Sequence, residues 1–253
     1  FYWESDAEHR ITRRTESKRE AAEAVFREAS FIGKRRWEIP YLSPDESGWR
    51  KHRAILDAHL PFRDFEIVRL GVNGAEYHFT ASGDPVFNVS GEFAGYRGVG
   101  ADITKRKQAE EKLKELAFFD QLTGLPNRTL LLDRLKQTMA ASSRSGSYGA
   151  LLFIDLDNFK TLNDTLGHDM GDMLLKQVAQ HLTPCVREGD SVARLGGDEF
   201  VVVLAGLSTV EEEAAAGIET VAEKILATLN QTYQLGDVAY RSTASIGVTL
   251  FRG

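Results

Sequence analysis

Two β-rich runs, residues 191–195 and 200–204, are separated only by Gly196-Gly197-Asp198-Glu199. Strands joined by so short a segment pair antiparallel in a tight hairpin. Two successive glycines supply the positive φ such a turn needs, and they let a bulky ligand approach the backbone. Asp198 and Glu199 stand at the turn, although both residue types are depleted in strands. An ordinary glycine-rich hairpin with polar residues facing water looks the same, so the turn constrains the fold before it speaks of function.

Around the hairpin, helix and strand signals alternate. Residues 149–156 form a near-continuous apolar run, the mark of a strand buried on both sides. Residues 130–141 predict an amphipathic helix with Leu131, Leu135 and Met139 on one face. Residues 170–182 predict a helix that Pro184 stops, residues 210–230 another, and residues 240–250 a last strand. This order predicts an α/β fold, a central and mostly antiparallel sheet flanked by helices.

Asp155 and Asp157 close the buried run. Side chains alternate along a strand, so the two share a face while Leu156 points away. Carboxylates at a buried strand end are costly without a positive partner. With Asp198 and Glu199 they make two acidic strand ends, a donor set suited to a hard divalent cation. Two metals about 3.5–4 Å apart would clamp an in-line phosphoryl displacement. Carboxylates that simply exit into solvent and cap the next helix remain the plainer alternative on these residues alone. Between the acidic points, residues 163–172 read as a polar loop leading into a helix. The loop offers Asn163 and Asp172 to a ligand such as a guanine edge, or to Asx-turn and N-cap bonds.

The 253 residues are enough for two ordinary domains. With 42% hydrophobic and 27% charged residues the chain is globular, and its formal charge of −6 provides no field for duplex nucleic acid. Cys185 is the only cysteine, which excludes an intrachain disulfide and fits a reducing cytoplasm. No apolar run approaches the roughly 18–20 residues of a membrane span. Phe1-Tyr2-Trp3-Glu4 carries neither an initiator Met nor a signal pattern. The expectation is a piece of a longer chain, cytoplasmic in itself or as the cytoplasmic part of a membrane-anchored protein.

Two compositions meet near residue 105. Ahead of it lie Trp3, Trp37 and Trp49, a predicted helix at 49–59, and strands at 65–70, 76–82 and 93–103. A meander after short helices predicts a small α+β domain. His52 and His59 are seven residues apart and would share a helix face. Nothing else in the composition points to haem, and a polar helix face is the reading. Residues 105–119 are charged, free of Gly and Pro, and helix-favouring. Ala109, Leu113 and Leu116 make a narrow stripe suited to a two-helix seam, or to packing on the same domain.

Taken together, Asp120-Gln121-Leu122-Thr123-Gly124-Leu125-Pro126-Asn127-Arg128, residues 153–160, 163–172, 194–200 and Ala244-Ser245-Ile246-Gly247-Val248 resemble the GGDEF family of diguanylate cyclases. The resemblance spans roughly residues 118–250 and implies a fold similar to the polymerase and adenylyl cyclase palm. It implies condensation of two GTP into cyclic di-GMP with Mg2+ or Mn2+. Asp155 and Asp198 would ligate the metal through carboxylates and Leu156 through its backbone carbonyl. Asn163 and Asp172 would hold guanine, His168 would lie beside the nucleotide, and Gly196 and Gly197 would lie against GTP. Glu199 would activate the ribose 3′-OH or steer a metal. Each chain would supply half of one reaction centre, so two domains must face each other. Arg187 and Asp190 form an RxxD pattern that, at this offset, implies a product-inhibition site for cyclic di-GMP.

Family members continue past the Ser-Ile-Gly-Val strand into a helix whose basic pair contacts the GTP phosphates, so those groups are expected outside residues 1–253. The expected domains are a PAS-like sensor at 1–104, a signalling helix at 105–119, and a C-terminally incomplete GGDEF domain at 120–253. The sensor reading rests on residues 95–104 running into Lys105-Arg106-Lys107-Gln108-Ala109-Glu110 and on residues 3–6 and 33–38. No cysteine lies in that domain for flavin chemistry, and the sequence does not decide whether the domain holds a ligand. A homodimer through the PAS domain and helix is expected. The alternative is a GTP- or cyclic di-GMP-binding module controlling a downstream EAL phosphodiesterase domain.

Overall fold

The structure is a computed structural model that describes residues 1–15 and 31–252. The part of the expected sensor domain at 16–30 lies outside the described residues. Contacts divide the chain into two units, Phe1–Glu111 and Lys112–Gly253.

In the first unit, β1 (Tyr2–Ser5), β2 (Ile11–Arg14), β3 (Phe62–Leu70), β4 (Glu76–Phe87) and β5 (Phe93–Asp102) form one sheet of order β2-β1-β5-β4-β3. Every neighbouring pair is antiparallel. The predicted meander is β3-β4-β5, while β1 and β2, at four residues each, are too short to carry a periodic pattern. Helix α1 (Glu46–Asp57) starts earlier than the apolar pattern suggests, because the Asp45 side chain accepts from Gly48 N and caps it. It buries Trp49, His52 and Leu56, spaced as one helical face. These pack with the aromatics Trp3, Phe62, Tyr77, Phe79 and Tyr96.

The expected polar helix face does not form, and the two histidines do not share a face. His52 is buried and its ring stacks on Phe65 at 3.6 Å, whereas His59 lies beyond the helix end and stacks on Phe93 at 3.8 Å. Burial, with nearby Arg36 and His9, pushes the His52 pKa down to about 3. The unfolded chain therefore takes up this proton first, and stability present above about pH 6.5 is lost as pH falls from there toward 3. In a His52→Gln variant the slope of stability against pH over that interval should flatten, which urea titrations at several pH values would read.

The second unit comprises the C-terminal part of α2 (Thr104–Phe118), then α3 (Arg128–Ser145), β6 (Gly149–Leu156), α4 (Phe159–Leu166), α5 (His168–Leu182), β7 (Ser191–Gly196), β8 (Glu199–Leu204), α6 (Glu211–Leu229), β9 (Thr232–Leu235), β10 (Val238–Arg241) and β11 (Ala244–Phe251). The sheet order is β11-β6-β8-β7, antiparallel throughout. One face, with Ala150, Leu152, Ile154, Phe200 and Val202, packs on α5 and α6. The other, with Leu151, Ala193, Val201 and Val203, meets Leu131 and Leu135 of α3. Beyond Leu151 that face opens: Phe153 is 51% exposed and Asp155 is exposed.

Two expectations change. The last strand is split, because β10 belongs to a separate hairpin with β9, and β11 begins only after Ser242-Thr243. Residues 163–172 are not a loop but the end of α4 and the start of α5, which meet at Gly167 with φ 90°. Leu113 and Leu116 of α2 are 64% and 50% exposed, as a seam awaiting a partner or an uncovered helix face would be.

Candidate active site

Strand pairing assembles the acidic centre. Asp155 on β6 stands directly across from Glu199 on β8, and Asp198 precedes Glu199 in the turn. Opposed residues on antiparallel strands bring their Cβ atoms to about 4.5–5.5 Å, a destabilising arrangement for like charges. The Asp155 pKa is accordingly raised, first by burial and then by Asp198, Asp157 and Glu199. Asp157, though near enough to act on Asp155, has hydrogen-bond partners of its own. Its oxygens accept from Thr243 Oγ1 at 2.7 Å and Ser245 Oγ at 2.8 Å, and these bonds hold its pKa low.

Carboxylates crowded in this way are what a divalent cation would neutralise. Among the described residues, no three His, Cys, Asp or Glu side chains are gathered to hold a metal by themselves. A metal here would draw further oxygens from backbone, water or phosphate, as magnesium commonly does. The Asp155–Asp198–Glu199 set fits that mode.

Asn163 lies on α4, His168 opens α5 and Asp172 follows on α5. The Asn163 Oδ1 is buried with no hydrogen-bond partner among the described residues. An orphaned buried acceptor is costly, so it marks a place where a ligand donor would be welcome. A Cβ at Gly171 would lie 2.0 Å from that oxygen. Gly171→Ala should therefore displace the Asn163 amide and raise the KM for a nucleotide on the order of tenfold, the equivalent of one hydrogen bond. An unchanged KM in steady-state assays would show that Asn163 does not contact it.

Arg187 and Asp190 are neighbours but already engaged. Asp190 Oδ1 accepts from Ala205 N at 3.0 Å and Oδ2 from Arg187 N at 3.2 Å, and its side chain is 5% exposed. Arg187 Nε lies 3.5 Å from Asp190 Oδ1, and Nη2 donates to the Ala205 and Gly206 carbonyls. Both residues line a groove of about 390 Å³ with Leu204, Leu207, Val221 and Lys224. Lys224 was not anticipated. It comes from α6, far along the chain, and donates to the Pro184 and Cys185 carbonyls at 3.2 and 3.0 Å.

A family model described as "Diguanylate cyclase, GGDEF domain" matches residues 117–253. The bifunctional diguanylate cyclase/cyclic di-GMP phosphodiesterase MucR of Pseudomonas aeruginosa is 43% identical over 150 residues, 59% of this chain and 21% of the relative. Diguanylate cyclase DgcP of Escherichia coli is 32% identical over 192 residues, 75% of this chain and 54% of the relative. The chain thus spans about a fifth of MucR and about half of DgcP. The solved coiled coil and GGDEF domain of DgcB from Caulobacter crescentus, in complex with c-di-GMP, is similar at 26% identity and a TM-score of 0.52, over 59% of this chain and 78% of that one.

Proposed function

The chain belongs to the GGDEF family of diguanylate cyclase domains, and from that premise we propose that residues 120–253 condense two GTP into cyclic di-GMP with magnesium. The observation that carries the reading is the opposed Asp155–Glu199 pair beside Asp198, a concentration of negative charge that raises the Asp155 pKa. Asp155 and Asp198 would hold the metal, with the Leu156 carbonyl as a further oxygen. When bound, the metal supplies positive charge against the triphosphate and favours the ionised 3′-oxygen. Glu199 takes up the 3′-OH proton as that oxygen bonds to the α-phosphorus of the facing GTP and the bond to pyrophosphate breaks. Asn163 and Asp172 hold guanine, with His168 beside the nucleotide, and the side-chain-free Gly196-Gly197 turn lets it lie close. Two such steps between facing domains close the ring.

Residues 1–104 are proposed as a PAS-type sensor and 105–119 as the helix that pairs two chains. Support comes from the five-stranded antiparallel sheet whose last strand leads into α2, and from the exposed Leu113 and Leu116. GTP as substrate assigns the work to the cytoplasm. A second reading, a nucleotide-binding module serving an EAL phosphodiesterase domain, is favoured by the similarity to MucR, a bifunctional diguanylate cyclase/cyclic di-GMP phosphodiesterase.

Chromatography of the products of the full chain with GTP and magnesium tests the first reading. Cyclic di-GMP should appear, at a rate rising with the square of protein concentration in the dilute range. Unconsumed GTP would sink it. Arg187→Ala should keep the initial rate while weakening inhibition by added cyclic di-GMP roughly ten- to a hundredfold, the loss of a charge-assisted bond. Equal inhibition would remove the groove as the product site. Asp190→Ala is the poorer probe, because Asp190 also holds the Ala205 amide.

A further inference from the structure

Gly196 and Gly197 sit at φ 146° and 53°. Nothing lies within 4 Å of where either Cβ would be, and a glycine pair holds no conformation unaided. Strand pairing sets Gly196 opposite Glu199, and Arg194 adds a side-chain grip on the turn. Its Nε and Nη2 donate to the Gly197 carbonyl at 3.0 and 2.8 Å. Its Nη1 donates to both Asp120 oxygens at 2.9 and 3.1 Å. The guanidinium is a rigid planar fork, so the carboxylate sets its plane and the plane sets the carbonyl. That carbonyl belongs to the planar peptide whose nitrogen is that of Asp198, so its tilt fixes the direction in which Asp198 leaves the turn.

Asp120 is itself held. Thr123 donates to it through N at 2.9 Å and Oγ1 at 2.6 Å. Burial pushes its carboxyl up, but the bonds from Thr123 and Arg194 outweigh this and keep its pKa low. Asn127 Nδ2 donates to the Ala117 carbonyl at 2.9 Å and Asn127 N to the Phe118 carbonyl at 2.9 Å. Arg194 N donates to the Pro126 carbonyl at 3.0 Å. The last turn of α2, the loop at 119–127 and β7 are thereby one hydrogen-bonded chain.

From this geometry we propose that Arg194 is a positioning residue for Asp198, and that Asp120, at the exit of α2, acts on the active-site turn through Arg194. The inference rests on the cyclase reading for its consequence, turnover, but not for its geometry. A shift of the helix exit then reaches the metal-side carboxylate within one domain, without any change in how two domains approach.

The test uses the full chain with Asp120→Asn, which keeps the shape, Arg194→Lys, which keeps the charge and loses the fork, and the double variant. Manganese binding is followed by electron paramagnetic resonance and turnover by product analysis, per folded molecule. Each single variant should weaken manganese binding about tenfold and lower kcat roughly 10- to 100-fold, the usual cost of losing a group that orients a ligand. KM for GTP at saturating metal should move less than about twofold. The double variant should be no worse than Arg194→Lys alone, because Asp120 acts through it. Equal manganese affinity in wild type and variants, no manganese binding by the wild type, or multiplied losses in the double variant would each overturn the inference. A wild type that makes no cyclic di-GMP removes the cyclase reading instead, and the manganese arm still decides the clamp.

Discussion

Asp198→Ala is expected to lower cyclic di-GMP formation by on the order of a hundred- to a thousandfold, the range for removing one electrostatic stabiliser of a transition state. Asp155→Asn should do the same. The informative part is the opposite sign in stability. Asp155 and Glu199 face each other across paired strands, so Asp155→Asn should stabilise the metal-free protein by up to about 1 kcal/mol. Magnesium should raise the melting temperature of the wild type and not of the variants, since only a state that binds metal gains by mass action. A variant that loses turnover yet still melts higher with magnesium would separate Asp155 from the metal.

The same crowding sets a pH dependence. Because the Asp155 pKa is raised, the folded state takes up that proton more readily than the unfolded chain. This contribution is full below the ordinary carboxylate range and is lost as pH rises through the raised value. Metal binding runs the other way, because it requires the ionised carboxylate. The acid limb of activity should therefore lie above the pKa of about 3.9 of a free Asp.

Phe200→Ala carries the second large effect. Phe200 is 0% exposed and is paired with Ile154 on one side and Arg194 on the other. It anchors the turn to the core, and its truncation should cost about 3–5 kcal/mol, a large share of the stability of a single domain. All three tryptophans, Trp3, Trp37 and Trp49, lie in the first unit. Their fluorescence reports that unit, so urea unfolding followed by far-ultraviolet circular dichroism should shift further than the fluorescence transition. A loss below about 1 kcal/mol would show that the anchor is not Phe200.

Local rules reached far in the second unit. Residues 149–156 read as a buried strand from apolar content alone, and the glycine pair declared the hairpin because few sequences tolerate that turn. The same rules misread the region around Gly167. Polar residues there resemble a loop, and only packing on the core shows that Asn163 and Asp172 lie on two short helices. Strands β1 and β2 were missed for a related reason. Four residues carry little pattern, and β1 pairs with β5 some ninety positions away, Trp3 opposite Gly98.

The chemistry divides along the same line. The amino-acid order by itself determined which groups are present, the carboxylates of Asp155, Asp198 and Glu199 and a turn only glycine adopts, because residue identity and short-range backbone sterics are local properties. Tertiary structure decided which of them meet. It set Asp155 against Glu199 and turned Asp157 aside to Thr243 and Ser245. It also brought Lys224 into the groove that Arg187 lines, and Asp120 to Arg194 across 74 positions. Strand register and hydrogen-bond partners between distant segments are settled by the burial of a shared core, and no local pattern encodes them.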